Sequence, residues 1–441
     1  MPVKVRFAPS PTGRLHLGNA YIAVANWLFA RAQGGHFLLR LDDTDRERSS
    51  PLYEAAIREA LDWLGLHADS EARQSERLAD YDAARDRLLA MGRLYAAYEA
   101  PEELALKRKV QQMRGLPLVY DRAALTLSDA EKERFAAKGR RPHYRFKLAR
   151  QETHWEDMIQ GQKSINAAHQ SDPVLIREDG RPLYTLSSVV DDMSLAVTHI
   201  IRGGDHITNT LTQIQLFEAL GGEVPRFAHL PLLADADSSK LSKRLFSTSL
   251  NDMAAEGRIE PLALLAYLAQ LGTSQSGEVY ASQAALAANF QLEAFSAGSP
   301  RLDMTALVSL NAKLVRQLDY AAVKGRIGDL SADEWQILRD NLDAVQEADR
   351  WQRVLRGNIT PIIAPEDRDF LLAAAAALPP APLDTSSWKD WTQAVQQQSG
   401  RKGKALFLPL RSAITGQSRG PDMAALLPLI EYDRILSRLK A

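Results

Sequence analysis

The sequence predicts an α/β protein in which a doubly wound parallel sheet is split by an insertion and followed by a helical region. Three observations predict this fold. Strand-like and helix-like apolar patterns alternate from Val3 to Tyr98, as they do in parallel sheets covered by helices. The alternation stops at about Pro101 and resumes at Val174. After about Arg301 the sequence shows only helical periodicity.

The composition is that of a globular chain with more than one domain. Its 441 residues, of which 45% are hydrophobic, leave room for about two to four domains of roughly 100 to 200 residues. The formal net charge is −1, so any binding of nucleic acid must use local basic patches. The absence of cysteine excludes disulfides and thiolate metal sites. Because no signal peptide and no apolar run of about 18 residues occur, we expect a cytoplasmic protein without a membrane partner.

The first predicted element is a strand that ends in a proline-rich turn and leads into a helix. Val3, Val5 and Phe7 alternate with polar residues, and the prolines that follow stop the strand near Ala8. Apolar residues three and four apart then place the start of a helix within one or two residues of Gly18.

The residues His16, Gly18 and Asn19 are expected to lie at that helix start. Free backbone N–H groups and the helix dipole favour an anion there. Gly18 would let a ligand approach the backbone, and His16 can donate to a phosphate oxygen or carry positive charge if the site raises its pKa. A single His-x-Gly after a strand is more often an ordinary turn, so the motif needs support from elsewhere.

A second predicted strand, Phe37–Leu41, runs into the acidic sequence Asp42-Asp43-Thr44-Asp45. Carboxylates at the carboxyl end of a parallel strand line the crevice where such sheets bind ligands. The same residues would also suit a solvated turn before the next helix, since Ser50 and Pro51 have the pattern of an N-cap followed by proline. The two interpretations are compatible.

The segment from Pro101 to Arg150 is rich in basic residues. Thirteen Lys and Arg residues stand against six Asp and Glu residues, which favours an insertion that contacts phosphates. A solvated helical face is the alternative.

The second half of the sheet ends in a loop dense in cations. Strands and helices are predicted at Val174–Ile176, Tyr184–Val190, Ala196–Ile201, Thr210–Leu220 and Arg226–Leu233. The loop that follows carries Lys240, Lys243 and Arg244, whose mutual repulsion a polyanion would offset. A basic surface loop is the alternative. Because this loop and His16 both follow strands of one interrupted sheet, they can converge on one phosphate chain.

These two motifs, His16-Leu-Gly-Asn19 and Lys240-Leu-Ser-Lys-Arg244, together resemble the nucleotide motifs of class I aminoacyl-tRNA synthetases. The sequence Arg6-Phe-Ala-Pro-Ser-Pro-Thr-Gly13 resembles the bacterial glutamyl-tRNA synthetase form. The resemblance continues through Arg40–Asp45, Tyr184–Asp192 and Arg202–His206. It covers essentially the whole chain, because the helical region after residue 301 is similar to the anticodon-binding part of the bacterial glutamyl family, whereas glutaminyl enzymes have a β-barrel there.

The resemblance implies a Rossmann-like catalytic domain over residues 1–100 and 175–250. Residues 101–174 would form the inserted subdomain that binds the acceptor end of tRNA. Residues 251–310 would form a helical connecting domain that contacts the tRNA stem, and residues 311–441 a helical anticodon-binding domain.

The resemblance also implies roles for individual residues. The side-chain carboxylate of glutamate would be held by Arg6 and Arg202, with Tyr184 nearby. The rest of the amino acid would be surrounded by Ala8, Ser10, Asp42 and Ser188. ATP would be bound by His16, Gly18, Asn19, Asp205 and Lys243, and the catalytic groups would be His16, Lys240, Lys243 and Arg244. The family often has Glu at position 42, Asn at position 188 and an acid at position 204, where this chain has Asp, Ser and Gly.

The implied reaction activates L-glutamate with ATP, accompanied by Mg²⁺, and transfers it to the 3′ end of tRNA(Glu). We expect a monomer without zinc, since the chain lacks the cysteines that bind zinc in some members. An enzyme that also charges tRNA(Gln), and a synthetase-derived tRNA-modifying paralogue, are the alternatives.

Two regions are expected to contact the tRNA. One is the basic insertion, and the other surrounds a set of basic residues in the helical region, which are Arg350, Arg353, Arg356, Arg401, Lys402 and Lys404. The nearby tryptophans Trp351, Trp388 and Trp391 could stack on unpaired anticodon bases or belong to the core.

Overall fold

Residues 2–235 and 249–441 are described in a computed structural model. The chain divides into two compact units, Met1–Ala255 with Leu265–Asp303, and Glu256–Leu264 with Met304–Ala441. The assignment of acceptor-binding, connecting and anticodon-binding functions to parts of these units stays a prediction.

The strands of the described residues all lie in the first unit. They are β1 (Lys4–Phe7), β2 (His36–Leu41), β3 (Ser70–Arg73), β4 (Leu94–Ala97), β5 (His143–Phe146), β6 (Glu152–Asp157), β7 (Gly161–Asn166), β8 (Val174–Ile176), β9 (His199–Gly203), β10 (Arg226–Leu230), β11 (Ala234–Asp235) and β12 (Arg301–Leu302).

The helices from Leu17 to Asn289 belong to the first unit, except that the boundaries between the units fall within the helices at 250–256 and 261–270. They are α1 (Leu17–Ala32), α2 (Pro51–Trp63), α3 (Leu78–Ala90), α4 (Pro101–Met113), α5 (Asp129–Ala137), α6 (Tyr184–Ser194), α7 (Ile207–Ala219), α8 (Leu250–Glu256), α9 (Pro261–Gln270) and α10 (Gln283–Asn289).

The central sheet is parallel and doubly wound, as the alternating pattern predicts. Strands β1, β2 and β3 pair in parallel in that order, and β9 pairs in parallel with β10. The two groups meet at β1 and β9, where the backbone N–H of Thr198 donates to the carbonyl of Lys4 over 2.9 Å. Strand order reverses at this junction, and ligands of open α/β sheets bind outside the carboxyl ends of the strands at such a point.

The insertion contains two small β structures. Strands β4, β5 and β8 form an antiparallel sheet, and helices α4 and α5 lie between β4 and β5 in the chain. Strands β6 and β7 form a hairpin, and β6 also pairs in parallel with β10 through Asp157 and Phe227. The hairpin therefore extends the central sheet beyond β10.

The second unit is helical. Its helices from Met304 onward are α11 (Met304–Val315), α12 (Tyr320–Val323), α13 (Ala332–Leu338), α14 (Ala348–Arg356), α15 (Arg368–Ala376), α16 (Ser387–Ser399), α17 (Lys404–Thr415), α18 (Met423–Leu426) and α19 (Tyr432–Leu439). The periodicity that runs through 335–355 is divided between α13 and α14, and that of 423–439 between α18 and α19.

The tryptophans of the second unit form its core. Trp351 and Trp391 are fully buried together with Trp335, and Trp388 packs against the same cluster. The interpretation that Trp351 and Trp391 stack on anticodon bases is therefore wrong, because their rings have no surface to offer a base.

Candidate active site

A cavity of about 900 Å³ opens at the carboxyl ends of β1 and β9. It lies entirely in the first unit, at the reversal of strand order. Ten of the predicted site residues line it, and they are Arg6, Ala8, Ser10, His16, Gly18, Asn19, Asp42, Tyr184, Arg202 and Asp205. Lys240, Lys243 and Arg244 lie outside the described residues.

The start of α1 places His16 at the mouth of this cavity. His16 is the N-cap of the helix, and its Nδ1 accepts a hydrogen bond from the backbone N–H of Gly18 over 3.0 Å. Asn19 returns the contact, since its Oδ1 accepts from the backbone N–H of His16 over 3.1 Å. This reciprocal capping box fixes both side chains at the helix start.

The capping contact also determines the protonation of His16. A backbone N–H is always a donor, so Nδ1 must be unprotonated and Nε2 carries the proton. Partial burial lowers the pKa of His16 below its usual value. The site therefore does not raise the pKa, and His16 offers a neutral Nε2–H donor rather than a positive charge.

Gly18 is required for this arrangement as well as for ligand approach. A Cβ at position 18 would lie 2.9 Å from Cε1 and 3.1 Å from Nδ1 of His16. The His16 ring thus occupies the space that a larger residue at position 18 would need.

A buried network of arginine and aspartate includes Asp42, which lines the cavity. Arg40, which is fully buried, donates from Nε to Asp42 over 2.7 Å and from Nη2 to the second Asp42 oxygen over 3.1 Å. Its Nη1 donates to Asp192 over 2.8 Å. Burial raises the pKa of Asp42 even though Arg40 opposes this effect. Both oxygens of Asp42 are thus already bound to an arginine.

Ser188 belongs to this network and does not line the cavity. It is fully buried on α6, and its Oγ accepts from Nη2 of Arg40 over 3.2 Å. The side chain therefore supports Arg40, and through it Asp42.

Arg6 presents its guanidinium from β1 to the cavity. Its Nε donates to Asp192 over 3.2 Å, while its two terminal nitrogens form no hydrogen bond with the described residues. A planar fork with two free donors can bind a carboxylate bidentately.

Arg202, at the end of β9, is buried but has no acidic partner among the described residues. Its nitrogens donate to neutral acceptors, which include Gln213 Oε1 over 2.6 Å and Thr210 Oγ1 over 2.8 Å. Burial lowers the pKa of Arg202. Arg202 forms no ion pair with Asp191, Asp192 or Asp205, so within the described residues its direct hydrogen-bond partners are all neutral.

The sequence also matches known families. Residues 2–308 match the profile described as tRNA synthetases class I (E and Q), catalytic domain, and residues 361–441 match an anticodon binding domain. The chain belongs to the class I tRNA synthetases of the E and Q group.

Relatives in this synthetase family align over nearly the full length. Glutamate–tRNA ligase 1 of Rhodospirillum rubrum is 50% identical over 438 residues, which cover 99% of this chain and 98% of that protein. Glutamate–tRNA ligase 1 of Rhizorhabdus wittichii is 51% identical and covers 100% of this chain. A glutamate tRNA ligase from Elizabethkingia meningosepticum, solved in complex with its amino acid, has the same fold, with a TM-score of 0.85 at 24% identity over 100% of this chain and 98% of that one.

This synthetase site contains polar residues that the sequence patterns did not identify. His206 lines the cavity with its ring 5.3 Å from that of Tyr184. Thr210, Gln213 and His229 surround Arg202. Their contacts with Arg202 join different elements, and only His206 stood in a segment that carried the family resemblance, Arg202–His206.

Neither a protein-built metal cluster nor a membrane-spanning helix is found in the part of the chain that the structure describes. No group of three or more His, Asp or Glu side chains there could hold a metal ion. No helix there is both long and apolar enough to cross a bilayer.

Proposed function

We propose that the chain is a glutamate–tRNA ligase that activates L-glutamate with ATP and transfers the glutamyl group to the 3′ end of tRNA(Glu). The family membership and the names of the full-length relatives support the reaction. The observation that carries the choice of amino acid is Arg202, a buried cation at the cavity wall that has no acidic partner among the described residues.

Arg6 and Arg202 hold the side-chain carboxylate of glutamate in this proposal. Arg6 contributes two free donors, and Arg202 contributes charge that its neutral acceptors do not cancel. Tyr184 lies beside them, with its hydroxyl 3.4 Å from Nη1 of Arg202. Glutamine would leave this guanidinium buried without an anion, which costs far more than the loss of one neutral contact.

The ammonium and backbone end of glutamate lies near Ala8, Ser10 and Asp42. Asp42 keeps its charge balanced by Arg40, and Ser188 holds that arginine. Family members often have a glutamate residue at position 42. The aspartate of this chain is one methylene shorter, so its carboxylate extends less far into the cavity.

ATP lies across the start of α1. The neutral Nε2–H of His16 donates to a phosphate oxygen, and the first turn of α1, with Gly18 and Asn19, adds a positive helix end. Asp205 also lines the cavity. Lys243, with Lys240 and Arg244, would complete the phosphate site, and these three residues lie outside the described residues.

The chemistry requires no nucleophile from the protein. An oxygen of the glutamate α-carboxylate bonds to the α-phosphorus of ATP, the bond to the bridging oxygen breaks, and pyrophosphate leaves with the electron pair. A terminal ribose hydroxyl of tRNA then attacks the acyl carbon, loses its proton and releases AMP. Positioning and neutralisation of negative charge suffice for the first step. Mg²⁺ bound with ATP would supply further positive charge at the phosphates.

Exposed basic residues of the insertion contact the tRNA in this proposal. Arg108, Lys109 and Arg114 on and after α4 are exposed and take part in no salt bridge with the described residues. In contrast, Lys107 pairs with Asp121, and Arg140 pairs with Glu103. The first three are therefore the stronger candidates for phosphate contacts near the acceptor end. We place the reaction in the cytoplasm and expect a monomer.

The decisive experiment is glutamate-dependent ATP–pyrophosphate exchange, with and without tRNA, followed by charging of tRNA(Glu) and tRNA(Gln). We expect exchange with glutamate, no exchange with glutamine, and charging of tRNA(Glu). Comparable charging of tRNA(Gln) would make the enzyme non-discriminating. Exchange without charging of either tRNA would favour a tRNA-modifying paralogue, which the matched anticodon binding domain at residues 361–441 disfavours.

A further inference from the structure

A chain of three buried side chains ends on Arg202. Nε of Arg202 donates to Nε2 of His229 over 3.1 Å, and Nδ1 of His229 lies 2.5 Å from Oδ2 of Asp157. His229 is completely buried, and Asp157 and Arg202 are 2% and 4% exposed. The three residues come from β10, β6 and β9, which neighbour one another in the sheet.

Both neighbours of His229 require the same tautomer of its ring. The guanidinium of Arg202 can only donate, so Nε2 of His229 must accept. The Asp157 carboxylate can only accept, so Nδ1 must carry the proton. Burial alone would raise the pKa of Asp157, but hydrogen bonds from His229 and from the backbone N–H of Gln160 lower it. Burial also lowers the pKa of His229, so the imidazole stays neutral.

Asp157 is itself held firmly in place. Its Oδ1 accepts from the backbone N–H groups of Ile159 and Gln160 over 3.1 Å and 2.9 Å, and from that of His229 over 3.1 Å. The β6–β7 turn thus fixes the carboxylate before any substrate binds.

We propose that Asp157 and His229 are positioning residues for Arg202: the carboxylate sets the imidazole tautomer, and the imidazole nitrogen orients the guanidinium without neutralising it. A carboxylate in direct contact would orient Arg202 as well, but it would compete with the anionic substrate. The neutral His229 ring orients the guanidinium, and it separates the negative charge of Asp157 from Arg202. The inference rests on the proposed function only in naming glutamate as the anion.

Two substitutions at position 229 separate orientation from stability. In His229→Asn the amide nitrogen can replace Nδ1 and keep the contact with Asp157, while the acceptor for Arg202 is lost. In His229→Gln the amide oxygen can replace Nε2 and keep that acceptor, while the contact with Asp157 is lost. A third variant, Asp157→Asn, preserves the shape of the side chain, but its amide nitrogen donates to Nδ1. The ring proton then moves to Nε2, where it faces the N–H donor of Arg202.

The measurements are the KM for glutamate and for ATP in pyrophosphate exchange with tRNA(Glu) present, together with the melting temperature. We expect His229→Asn and Asp157→Asn to raise the KM for glutamate roughly 10- to 100-fold, the range for losing a hydrogen bond to a charged group, with the KM for ATP unchanged. His229→Gln should raise the KM for glutamate less than His229→Asn does, yet lower the melting temperature more, because it leaves the Asp157 carboxylate without its ring partner.

The two variants at position 229 are thus expected to rank in opposite order for the KM for glutamate and for the loss of melting temperature. A purely structural role would give the same order for both quantities. If the KM for glutamate simply follows the loss of melting temperature, or if folded His229→Asn keeps the wild-type KM, the positioning role is overturned. Should either position 229 variant fail to fold, Asp157→Asn decides by the same criterion. Wild-type protein without glutamate-dependent exchange would overturn the proposed function instead, and with it the substrate named here.

Discussion

Two buried arginines of the first unit differ in the charge of their hydrogen-bond partners. Asp42 and Asp192 contact Arg40 and raise its pKa above the usual value, although burial opposes this. Arg202 has neutral acceptors, and burial lowers its pKa. Burying a charge without a counter-ion raises the free energy of the folded protein. A carboxylate that binds beside Arg202 would therefore lower this free energy.

Replacing Arg202 with leucine tests this difference. We expect Arg202→Leu to weaken glutamate by about 10²-fold or more, the scale for removing one partner of a buried charge pair, and to leave the KM for ATP nearly unchanged. Arg226→Leu serves as a matched control, because Arg226 begins the neighbouring strand β10 but is exposed. Equal losses in glutamate binding, ATP binding and melting temperature would instead indicate a structural role for Arg202.

A second test at this scale concerns Gly18. A methyl group there would press on the His16 ring, so Gly18→Ala should displace the imidazole and lower the rate of adenylate formation by about 10- to 100-fold, part of the loss expected for one transition-state donor. Gly13→Ala is the comparison, since its Cβ would meet no atom within 4 Å. Single-turnover rates that fall equally in both variants would contradict the role given to the His16–Gly18 contact.

At the scale of elements, helix starts and tight turns position the chemistry. The capping residue of α1 is itself a predicted catalytic residue, so His16→Ala would remove a cap as well as a donor. In the second unit the same close packing is seen where the backbone of Gly420, at φ of +151°, lies against the ring of Trp351. The start of α1 thus depends on His16, and the packing of Trp351 depends on the absence of a side chain at Gly420.

The contact between Gly420 and Trp351 gives a stability prediction. A Cβ at position 420 would overlap the Trp351 ring, so Gly420→Ala should lower the free energy of unfolding by on the order of 3 kcal/mol, from overpacking and backbone strain together. Gly400→Ala isolates backbone strain, because Gly400 has a φ of +69° and open space around it, and it should cost about 1 kcal/mol. Urea denaturation of both variants measures the difference, and equal losses would show that the Trp351 contact contributes nothing.

At the scale of the whole molecule, the second unit begins earlier in the chain than the helical periodicity indicates. Residues 256–264 belong to it, because Glu260 forms a double salt bridge with Arg326 over 3.0 Å. Asn311 adds hydrogen bonds to the backbone of Arg258, Glu260 and Asp343. A cut near residue 301 therefore leaves a segment of the second unit attached to the first without its partners.

A protein truncated after Asp303 should retain the cavity residues for adenylate formation but lose discrimination among tRNAs. It should also melt at a lower temperature than the full chain, because Glu260 and its neighbours lose their contacts. Full-length Asn311→Ala is the control: it should reproduce part of the stability loss and keep tRNA selectivity. If the truncated protein is folded and still charges tRNA(Glu) with full selectivity, the helical region is not the anticodon reader.

The sequence by itself determined the features that depend on neighbouring residues. The strand, turn and helix from Lys4 to Ala32, the N-cap at Ser50 and the parallel alternation were predictable, since hydrogen-bond capping, proline stereochemistry and apolar periodicity act over a few residues. The same local motifs sufficed to indicate the family and to name ten residues that line one cavity.

Only the tertiary structure decided what each charged or aromatic side chain faces. Arg40 meets Asp192 across 152 positions of sequence, and His229 meets Asp157 across 72, so no local pattern reveals either pair. The protonation of His16, the neutral hydrogen-bond partners of Arg202 and the burial of Trp351 all follow from the same cause. Burial and electrostatic environment are set by groups that are distant in sequence and become neighbours only when the chain packs.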